Sequence, residues 1–390
     1  MTYRTAPNRR LALVLVVALA ALLAFTAVAQ AKPKAAKPKG DEVTVMTRNL
    51  YLGADLTPAI VSPNLESFFE ATGGILRTVD ASNFPVRAKG LAQEILEEEP
   101  DLVGLQEAAL WRTAPPSLLA LKAPPSATTV KYDFLAELLK QLNRKGTTYR
   151  PVVVNPEFDF EAPANYDGLP GGGPGPGLLA NTEINARLTM RDVILARVGA
   201  GVKTSNPKMG HYSHLLVEKV AGTAEVPVTR GWTSIDATVR GSRKFHFVNT
   251  HLEAFDPETA VPSIRAQQAA ELVGPGGAAD PGNKLPVILV GDLNSDVKTE
   301  VKPGDGQAYR VVTGAGYRER SAERPLSCCI NSNDLKGGSV KDFNHKVDHI
   351  LTDNPKDVKL ASSAVTGRQK QNGWWDSDHA GLASVLRIGR

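Results

Sequence analysis

The residues of this sequence with the greatest capacity for chemistry are polar side chains that stand where apolar runs end. They comprise two amides, four carboxylates and two imidazoles: Asn49, Glu107, His251, Asp292, Asn294, Asp348, Asp378 and His379. Carboxylate and amide oxygens bind hard divalent cations, and imidazoles transfer protons near neutral pH. Each residue alone has an ordinary explanation as a turn former, helix cap or surface group. Their joint occurrence predicts one shared site.

Three apolar runs lead directly into these polar residues and indicate buried strands. The runs are Val43–Met46 before Asn49, Leu102–Leu105 before Glu107, and Val287–Val290 before Asp292. Continuous apolar runs of this length are typical of strands that are covered on both faces. Since neighbouring strands end at a shared edge, we expect the polar side chains to meet there.

Further patterns predict a mixed architecture. Strands are expected at Val193–Val198, Thr233–Val239, Lys244–Asn249, Val347–Leu351 and Leu382–Leu386, and helices at Val86–Glu98, Tyr132–Leu142 and Ser263–Val273. Gly241-Ser242 has the turn chemistry of a hairpin, so the sheets cannot be purely parallel. The sequence therefore predicts an α/β protein in which two mixed sheets pack together with helices outside.

Two long stretches, 155–185 and 299–345, lack clear periodicity and are rich in loop-forming residues. They are predicted as long loops, for which a functional role and a tolerated insertion both stay open. No internal repeat is present. A single catalytic domain over residues 43–390 is therefore predicted despite the length of the chain.

Composition and charge narrow the function classes. Hydrophobic residues make up 42% and charged residues 22% of the chain, which is typical of a globular protein. Beyond residue 31 the chain has 42 basic and 41 acidic residues, and four of the bases are lysines within 32–39. The remainder carries 38 bases against 41 acids. This net charge of −3 provides no basic stripe for tracking a nucleic acid backbone.

The N-terminus has the pattern of an export signal. Arg9 and Arg10 precede an apolar run that ends in the small-residue site Ala29-Gln30-Ala31. A signal peptide over 1–31, cleaved after Ala31, is predicted, and an uncleaved membrane anchor is the alternative. The Lys/Pro/Ala-rich segment 32–42 is predicted as a solvated linker or as a contact to an anionic surface. The protein is thus expected to be exported, with no obligate protein partner.

Cys328 and Cys329 are adjacent and are the sole cysteines of the chain. In an exported protein they could form a vicinal disulfide, pair between chains, or stay buried and reduced. No spacing of histidines and cysteines indicates a structural zinc site.

Seven segments resemble, in chain order, the conserved blocks of the endonuclease/exonuclease/phosphatase superfamily. They are TRNLYLG (47–53), GLQEA (104–108), RDVILAR (191–197), NTHLEA (249–254), VILVGDLNSD (287–296), VDHIL (347–351) and SDHAG (377–381). The resemblance spans about Val43 to Leu386. It implies a four-layer α/β sandwich with two mixed β-sheets flanked by helices, and hydrolysis of phosphate esters with a divalent metal ion.

The resemblance also implies a role for each residue of the site. Asn49 and Glu107 match positions that hold Mg²⁺, for which Mn²⁺ is a substitute, and Asp378 matches a supporting acid. The catalytic positions are matched by His251, Asp292, Asn294, Asp348 and His379. In that scheme the cation neutralises the phosphate and a water loses its proton during in-line attack. The general base stays open between Asp292 and His379, the latter paired with Asp348.

Five further positions could contact a substrate. Arg191 and Asp192 form either a charge pair beside the phosphate or a surface ion pair. Trp232 is placed as a substrate contact or a core residue, and Trp374-Trp375 as an exposed aromatic lip or as packing.

The sequence favours an active phosphodiesterase, with phosphomonoesters as further substrates. All eight candidate positions hold competent side chains, which argues against the alternative of an inactive exported binding protein with the same fold. A serine hydrolase is excluded because no G-x-S-x-G motif is present. Residues 249–272 are similar to the sphingomyelinase branch, so a phospholipid or small diester is favoured over nucleic acid. A secreted endonuclease acting on DNA or RNA is the alternative.

Overall fold

The computed structural model describes residues 41–121, 124–222, 224–255, 262–296 and 306–389. The predicted signal peptide (1–31) lies outside these ranges, as does nearly all of the predicted linker (32–42), so export and the linker's contacts stay predictions. Within the described ranges, no helix combines the length and the apolar character needed to cross a membrane.

Two large mixed sheets form the centre of the fold. The strands of the described residues are β1 (Glu42–Asn49), β2 (Leu102–Gln106), β3 (Leu110–Ala114), β4 (Thr129–Asp133), β5 (Tyr149–Ala164), β6 (Ile184–Arg197), β7 (Val202–His211), β8 (Leu216–Val220), β9 (Ala224–Val228), β10 (Gly231–Val239), β11 (Phe245–His251), β12 (Val287–Asp292), β13 (Arg318–Glu319), β14 (Asp348–Thr352), β15 (Val358–Thr366) and β16 (Gly381–Ile388). The first sheet has the order β15-β16-β1-β2-β6-β3-β4, with β5 paired to β6. The second has the order β13-β14-β12-β11-β10-β7, and β8 and β9 form a separate pair.

The main core lies between the two large sheets. On β12, Ile288 and Val290 face this core, whereas Val287 and Leu289 belong to the apolar cluster on the other side of the strand. All four side chains are fully buried. Burial of each side chain contributes about 1.5–3 kcal/mol to the free energy of folding. The continuous apolar run of β12 is thus explained by a strand covered on both faces, as predicted.

Helices cover the outer face of each sheet. Those of the described residues are α1 (Thr57–Ile60), α2 (Leu65–Ser82), α3 (Phe84–Glu98), α4 (Phe134–Leu142), α5 (Ile264–Val273) and α6 (Gln307–Gly314). Apolar side chains of α2, α3 and α4 pack on the first sheet, and those of α5 and α6 pack on the second. The four-layer α/β sandwich predicted from the sequence is confirmed.

The predicted loops were partly wrong. Residues 155–164 continue β5, which pairs with β6 from Tyr149 opposite Arg197 to Ala164 opposite Ile184. Two register shifts in this ladder lie at prolines, which lack the N–H that a regular ladder requires. The described part of 299–345 contains α6 and β13. Helix α2 was not predicted, although Asn64 caps its N-terminus through reciprocal hydrogen bonds with Ser67.

Candidate active site

The strand ends bring five of the candidate residues to one edge of the sandwich. In the first sheet, Asn49 ends β1 and pairs in parallel with Gln106 at the end of β2, so Glu107 follows directly beside it. In the second sheet, His251 at the end of β11 pairs with Asp292 at the end of β12. Asp348 begins the antiparallel β14 opposite Asp292. The predicted meeting of strand ends is therefore observed.

Two of the eight candidate residues have a left-handed backbone. Glu107 has φ 56° and Asn294 has φ 47°. Asparagine tolerates this conformation, but for glutamate it is uncommon and costs free energy that the surrounding structure must offset. Part of that compensation is a hydrogen bond of 2.7 Å that the Leu52 N–H donates to Glu107 Oε2. Such strained positions cluster at functional sites.

Asn49 connects the two sheets at the centre of the site. Its amide nitrogen donates to Glu107 Oε1 at 3.2 Å and to Asp292 Oδ2 at 3.1 Å. Its amide oxygen accepts a hydrogen bond of 2.9 Å from the Tyr51 N–H. Asn294 is held in turn, because its N–H donates to Asp292 Oδ1 at 2.9 Å. In this arrangement Asn49 orients the Glu107 and Asp292 carboxylates, and its predicted role as a metal ligand stays a prediction.

His379 belongs to a buried chain of hydrogen bonds. Its Nδ1 lies 2.9 Å from Asp348 Oδ2, which also accepts a bond of 2.8 Å from the Ser327 hydroxyl. Its Nε2 lies 3.7 Å from Asp292 Oδ2. Although burial opposes it, the negative charge of Asp348, followed by those of Asp378 and Asp292, raises the pKa of His379 well above its usual value. Sequence reasoning missed Ser327, for which no local motif exists.

His251 has the opposite surroundings. Its Nδ1 accepts a hydrogen bond of 3.2 Å from the Arg230 guanidinium, which is ion-paired with the buried Glu253 at 3.3 Å. Burial, then Arg230, then His379 lower the pKa of His251 well below its usual value. Its Nε2 lies 3.7 Å from Asp292 Oδ2 and 3.9 Å from Glu107 Oε1. Neither Arg230 nor its partner Glu253 was predicted as a site residue, although Glu253 lies within the NTHLEA segment.

The carboxylates at this edge fit a hard divalent cation. Burial raises the pKa of Asp378 to about 6, and the Glu107 and Asp348 carboxylates add to the effect, whereas His379 and Arg87 oppose it. Burial likewise raises the pKa of Asp292 to about 7, with Asp348 adding and His379 opposing. Buried carboxylates that repel one another in this way are relieved by a bound cation. Their oxygens are the donors that Mg²⁺ and Mn²⁺ prefer.

Arg191 and Asp192 do not form the charge pair considered from the sequence, since they point to opposite faces of β6. The Arg191 guanidinium donates to Asp133 at 2.6 Å and to the Ala108 carbonyl at 2.7 Å. Arg191 therefore braces the loop that carries Glu107. Its role as a substrate contact stays a prediction without a contact to support it.

Asp192 instead faces Glu157 on the neighbouring strand β5. Both side chains are buried, and none of their four carboxyl oxygens has a hydrogen-bond partner. Burial raises the pKa of both groups, that of Glu157 to about 8 and that of Asp192 well above its usual value, and the Glu157 charge adds to the shift of Asp192. The sequence indicated Asp192 but not Glu157, because the pairing depends on the β5–β6 register.

The three tryptophans considered from the sequence lie outside the cluster of catalytic candidates. Trp232 packs against the apolar cluster beneath α5 and α6, on the outer side of the second sheet. Trp375 is buried, donates to the Gly337 carbonyl at 2.9 Å and stacks edge-on against Phe343. Trp374 is partly exposed, with Lys336 above its ring. An aromatic lip could thus include Trp374 but not Trp375, because the second ring completes a small core.

An apolar cavity of about 210 Å³ adjoins the acidic cluster. Glu107, Asp378 and Arg230 line one part of it. The rest is mostly apolar, with side chains that include Leu52, Ile75, Trp111, Phe158, Phe160, Leu188, Met190 and Phe255. No sequence pattern indicated this cavity, since its walls come from strands, helices and loops that are distant in the chain.

Several solved structures are similar to this chain at low sequence identity. Similar solved structures include the mannosyl-6-phosphatase of Bacteroides thetaiotaomicron (15% identity, TM-score 0.48, covering 88% of this chain and 99% of that one). A second is an endonuclease/exonuclease/phosphatase family protein from Leptotrichia buccalis (15% identity, TM-score 0.49, covering 89% of this chain and 100% of that one). A third is the human Nocturnin catalytic domain (16% identity, TM-score 0.45, covering 90% of this chain and 94% of that one). No curated protein sequence matches the chain significantly.

The family assignment comes from the sequence as a whole. The model of the endonuclease/exonuclease/phosphatase family matches residues 64–379, which is more than three quarters of the chain. Members of this family are generally hydrolases that act on phosphoester bonds. The chain therefore belongs to the endonuclease/exonuclease/phosphatase family.

Proposed function

We propose that this chain is an exported, Mg²⁺-dependent phosphodiesterase whose substrate carries an apolar group beside the scissile phosphate. A phospholipid or a small apolar diester has this chemistry, and a phosphomonoester with such a group is a secondary substrate. The observation that carries the proposal is the apolar cavity next to Glu107, Asp378 and Arg230.

The size and lining of the cavity favour such a group. Apolar cavities of about 150 Å³ bind benzene, so 210 Å³ accommodates an aromatic ring or a short stretch of alkyl chain. The negative net charge of the chain beyond residue 39 agrees with this preference, because it lacks the excess of bases that attracts a polyanion. A phosphodiester that buries its apolar substituent there would place its phosphate near the carboxylates and Arg230.

Glu107 and Asp378 would hold the cation, with Asn49 added as the family resemblance implies. When bound, Mg²⁺ would neutralise the anionic phosphate oxygens and favour attack at phosphorus. Mn²⁺ has the same preference for oxygen donors and should substitute. Because the cation would neutralise the phosphate during attack, its removal should abolish turnover.

The remaining residues handle the protons. Asp348 fixes the Nδ1–H tautomer of His379, so Nε2 faces Asp292 and the reacting groups. As a coupled pair, His379 carries the proton and the neighbouring Asp292 carboxylate accepts the proton of the attacking water. His251 accepts from Arg230 at Nδ1, which leaves its Nε2–H to donate to a phosphate oxygen.

A substrate panel tests the proposal. Phospholipid vesicles including sphingomyelin, a nitrophenyl phosphodiester, glycerophosphodiesters, inositol phosphates, plasmid DNA and RNA should be compared at equal enzyme concentration. We expect the acylated or aromatic diesters to be cleaved fastest, with all activity lost in chelator and restored by Mg²⁺ or Mn²⁺. Plasmid nicked far faster than any apolar diester would identify a nuclease, and full activity in chelator would exclude the metal.

A cavity variant and a matched control sharpen that panel. Ala59 lines the cavity, and Ala59→Phe should fill part of it, lowering kcat/KM for an acylated diester by about tenfold while sparing its deacylated counterpart. Ala361→Phe places the same ring on the exposed surface of β15 and should change neither. Export is tested by fractionation and by N-terminal sequencing, which should find a mature chain that starts at Lys32.

A further inference from the structure

Two sulfur atoms lie beside the imidazole of His379 and have no task in the hydrolysis described above. Cys328 and Cys329 form a disulfide. Their Sγ atoms lie 3.7 and 3.8 Å from His379 Nε2. Cys328 is buried, whereas Cys329 is partly exposed and is therefore within reach of a solute.

The imidazole is already arranged as a metal-binding histidine. Metal-bound histidines almost always donate their second ring N–H to a carboxylate or carbonyl, which fixes the tautomer and orients the ring. Here Asp348 accepts that bond at 2.9 Å and is itself held by Ser327. The nitrogen that faces the two sulfurs is Nε2, the atom that would bind a cation.

Each sulfur–nitrogen distance also fits a tetrahedral centre. Bonds of about 2.3 Å to sulfur and 2.0–2.1 Å to nitrogen at tetrahedral angles place the two ligand atoms about 3.6 Å apart. The observed separations of 3.7 and 3.8 Å are within a few tenths of this value. Two thiolates and an imidazole select soft or borderline cations, in contrast to the oxygen donors of Glu107 and Asp378.

The backbone around the cysteines would keep both residues beside His379 after reduction. Loss of the S–S bond then lets the two sulfurs separate to the roughly 3.8 Å that two thiolates on one tetrahedral cation require. The Cys328 N–H donates to the His345 carbonyl at 3.0 Å, and the Cys328 carbonyl accepts from Asn344 at 2.7 Å. The Ile330 N–H donates to the Asp378 carbonyl at 2.9 Å, which ties the cysteine segment to the one that carries His379. These bonds do not involve the sulfur atoms.

We propose that reduction of the Cys328–Cys329 disulfide creates a three-ligand site for Zn²⁺ or Cd²⁺ together with His379, and that occupation of this site stops hydrolysis. A dithiol reductant breaks the S–S bond, supplies two electrons and two protons, and becomes a disulfide itself. Binding of the cation then releases the two thiol protons as the thiolates coordinate. His379 Nε2, once coordinated, no longer exchanges a proton with Asp292 or with water.

Metal binding is measured first, without reference to activity. The purified chain is reduced with a dithiol under nitrogen, freed of reductant and titrated with Cd²⁺, with the thiolate–cadmium absorption band and native mass spectrometry as readouts. We expect one Cd²⁺ per reduced chain, displaced by Zn²⁺ but not by Mg²⁺, and none per oxidised chain. Cys329→Ser and His379→Gln should each weaken binding by at least tenfold. Equal binding by the oxidised chain or by both variants would overturn the site.

Inhibition is measured second, and this arm rests on the proposed function. Zn²⁺ should lower turnover of the reduced enzyme by about 10²-fold, the scale of a lost acid–base group, and leave the oxidised enzyme unaffected. The double variant Cys328→Ser/Cys329→Ser should resist Zn²⁺ in both states. Cd²⁺ binding with unchanged turnover would overturn the inhibitory role. A chain that binds Cd²⁺ yet cleaves no phosphodiester would support the site and refute the proposed hydrolase.

Discussion

The surroundings of His379 and His251 differ, although both histidines are buried at the same edge of the sandwich. His379 is backed by the carboxylate of Asp348, and its pKa is raised; His251 is backed by the guanidinium of Arg230, and its pKa is lowered. Burial alone would lower both. The comparison shows that the charge of the neighbouring side chain, rather than depth, decides which imidazole carries a proton. One edge can thus hold a charged and a neutral histidine a few ångströms apart.

Removing Arg230, the positive charge beside His251, should have the largest effect, which is a loss of folding stability. Arg230→Met leaves Glu253 buried without its partner, and loss of one member of a buried ion pair costs about 3–5 kcal/mol. Urea unfolding should show this loss, and the double variant Arg230→Met/Glu253→Leu should recover most of it. Equal instability of the single and double variants would show that the pair is not what stabilises this side.

Removing the imidazole of His379 should lower turnover more than it lowers stability. His379→Ala should lower kcat by about 10²-fold or more. Adding Asp348→Asn to it should cost little further activity, since residues that act as one unit are non-additive. Steady-state kinetics of the two single variants and the double variant test this. If the double variant lost kcat by the product of the two single variants' losses, Asp348 would not act through His379.

Replacing Glu157 should have the smallest effect, which is a change in how folding stability depends on pH. Its pKa is raised to about 8 by burial, so the folded chain binds a proton that the unfolded chain releases above about pH 4.5. The protein should therefore lose stability as the pH rises from about 5 to 8. Glu157→Gln removes this titration and should therefore be more stable than the parent at pH 8, with little difference at pH 5.

Urea unfolding at four pH values measures that difference, with the exposed Glu225→Gln as the control. The control should follow the parent at every pH. If the stability of the parent and of Glu157→Gln depended on pH in the same way, the Glu157 carboxyl would not have the raised pKa on which this prediction rests.

The sequence was sufficient for features that depend on local pattern. The runs before Asn49, Glu107 and Asp292 predicted strands buried on both faces, and the helices at 86–98 and 263–273 were found to within about two residues. Strand ends meet at one edge for geometric reasons, so the candidate residues could be grouped without the structure.

Features that depend on tertiary partners could not be predicted. Strand β5 is held by its ladder with β6, although its own sequence contains prolines and lacks alternation. The partners of Arg230 and Asp192 are set by which strands become neighbours, and no motif records that choice. The separation of Arg191 from Asp192, in contrast, follows from strand alternation and could have been anticipated once β6 was predicted.

The pairing of β1 with β16 determines when the candidate site is completed during synthesis of the chain. Glu42 lies opposite Arg387, so the first described strand is completed by the last. Asn49 is made early, whereas His379 emerges from the ribosome only shortly before β16 is complete. A nascent chain therefore lacks both the strand that pairs with β1 and the imidazole that pairs with Asp348, so the candidate site is incomplete until synthesis is almost finished.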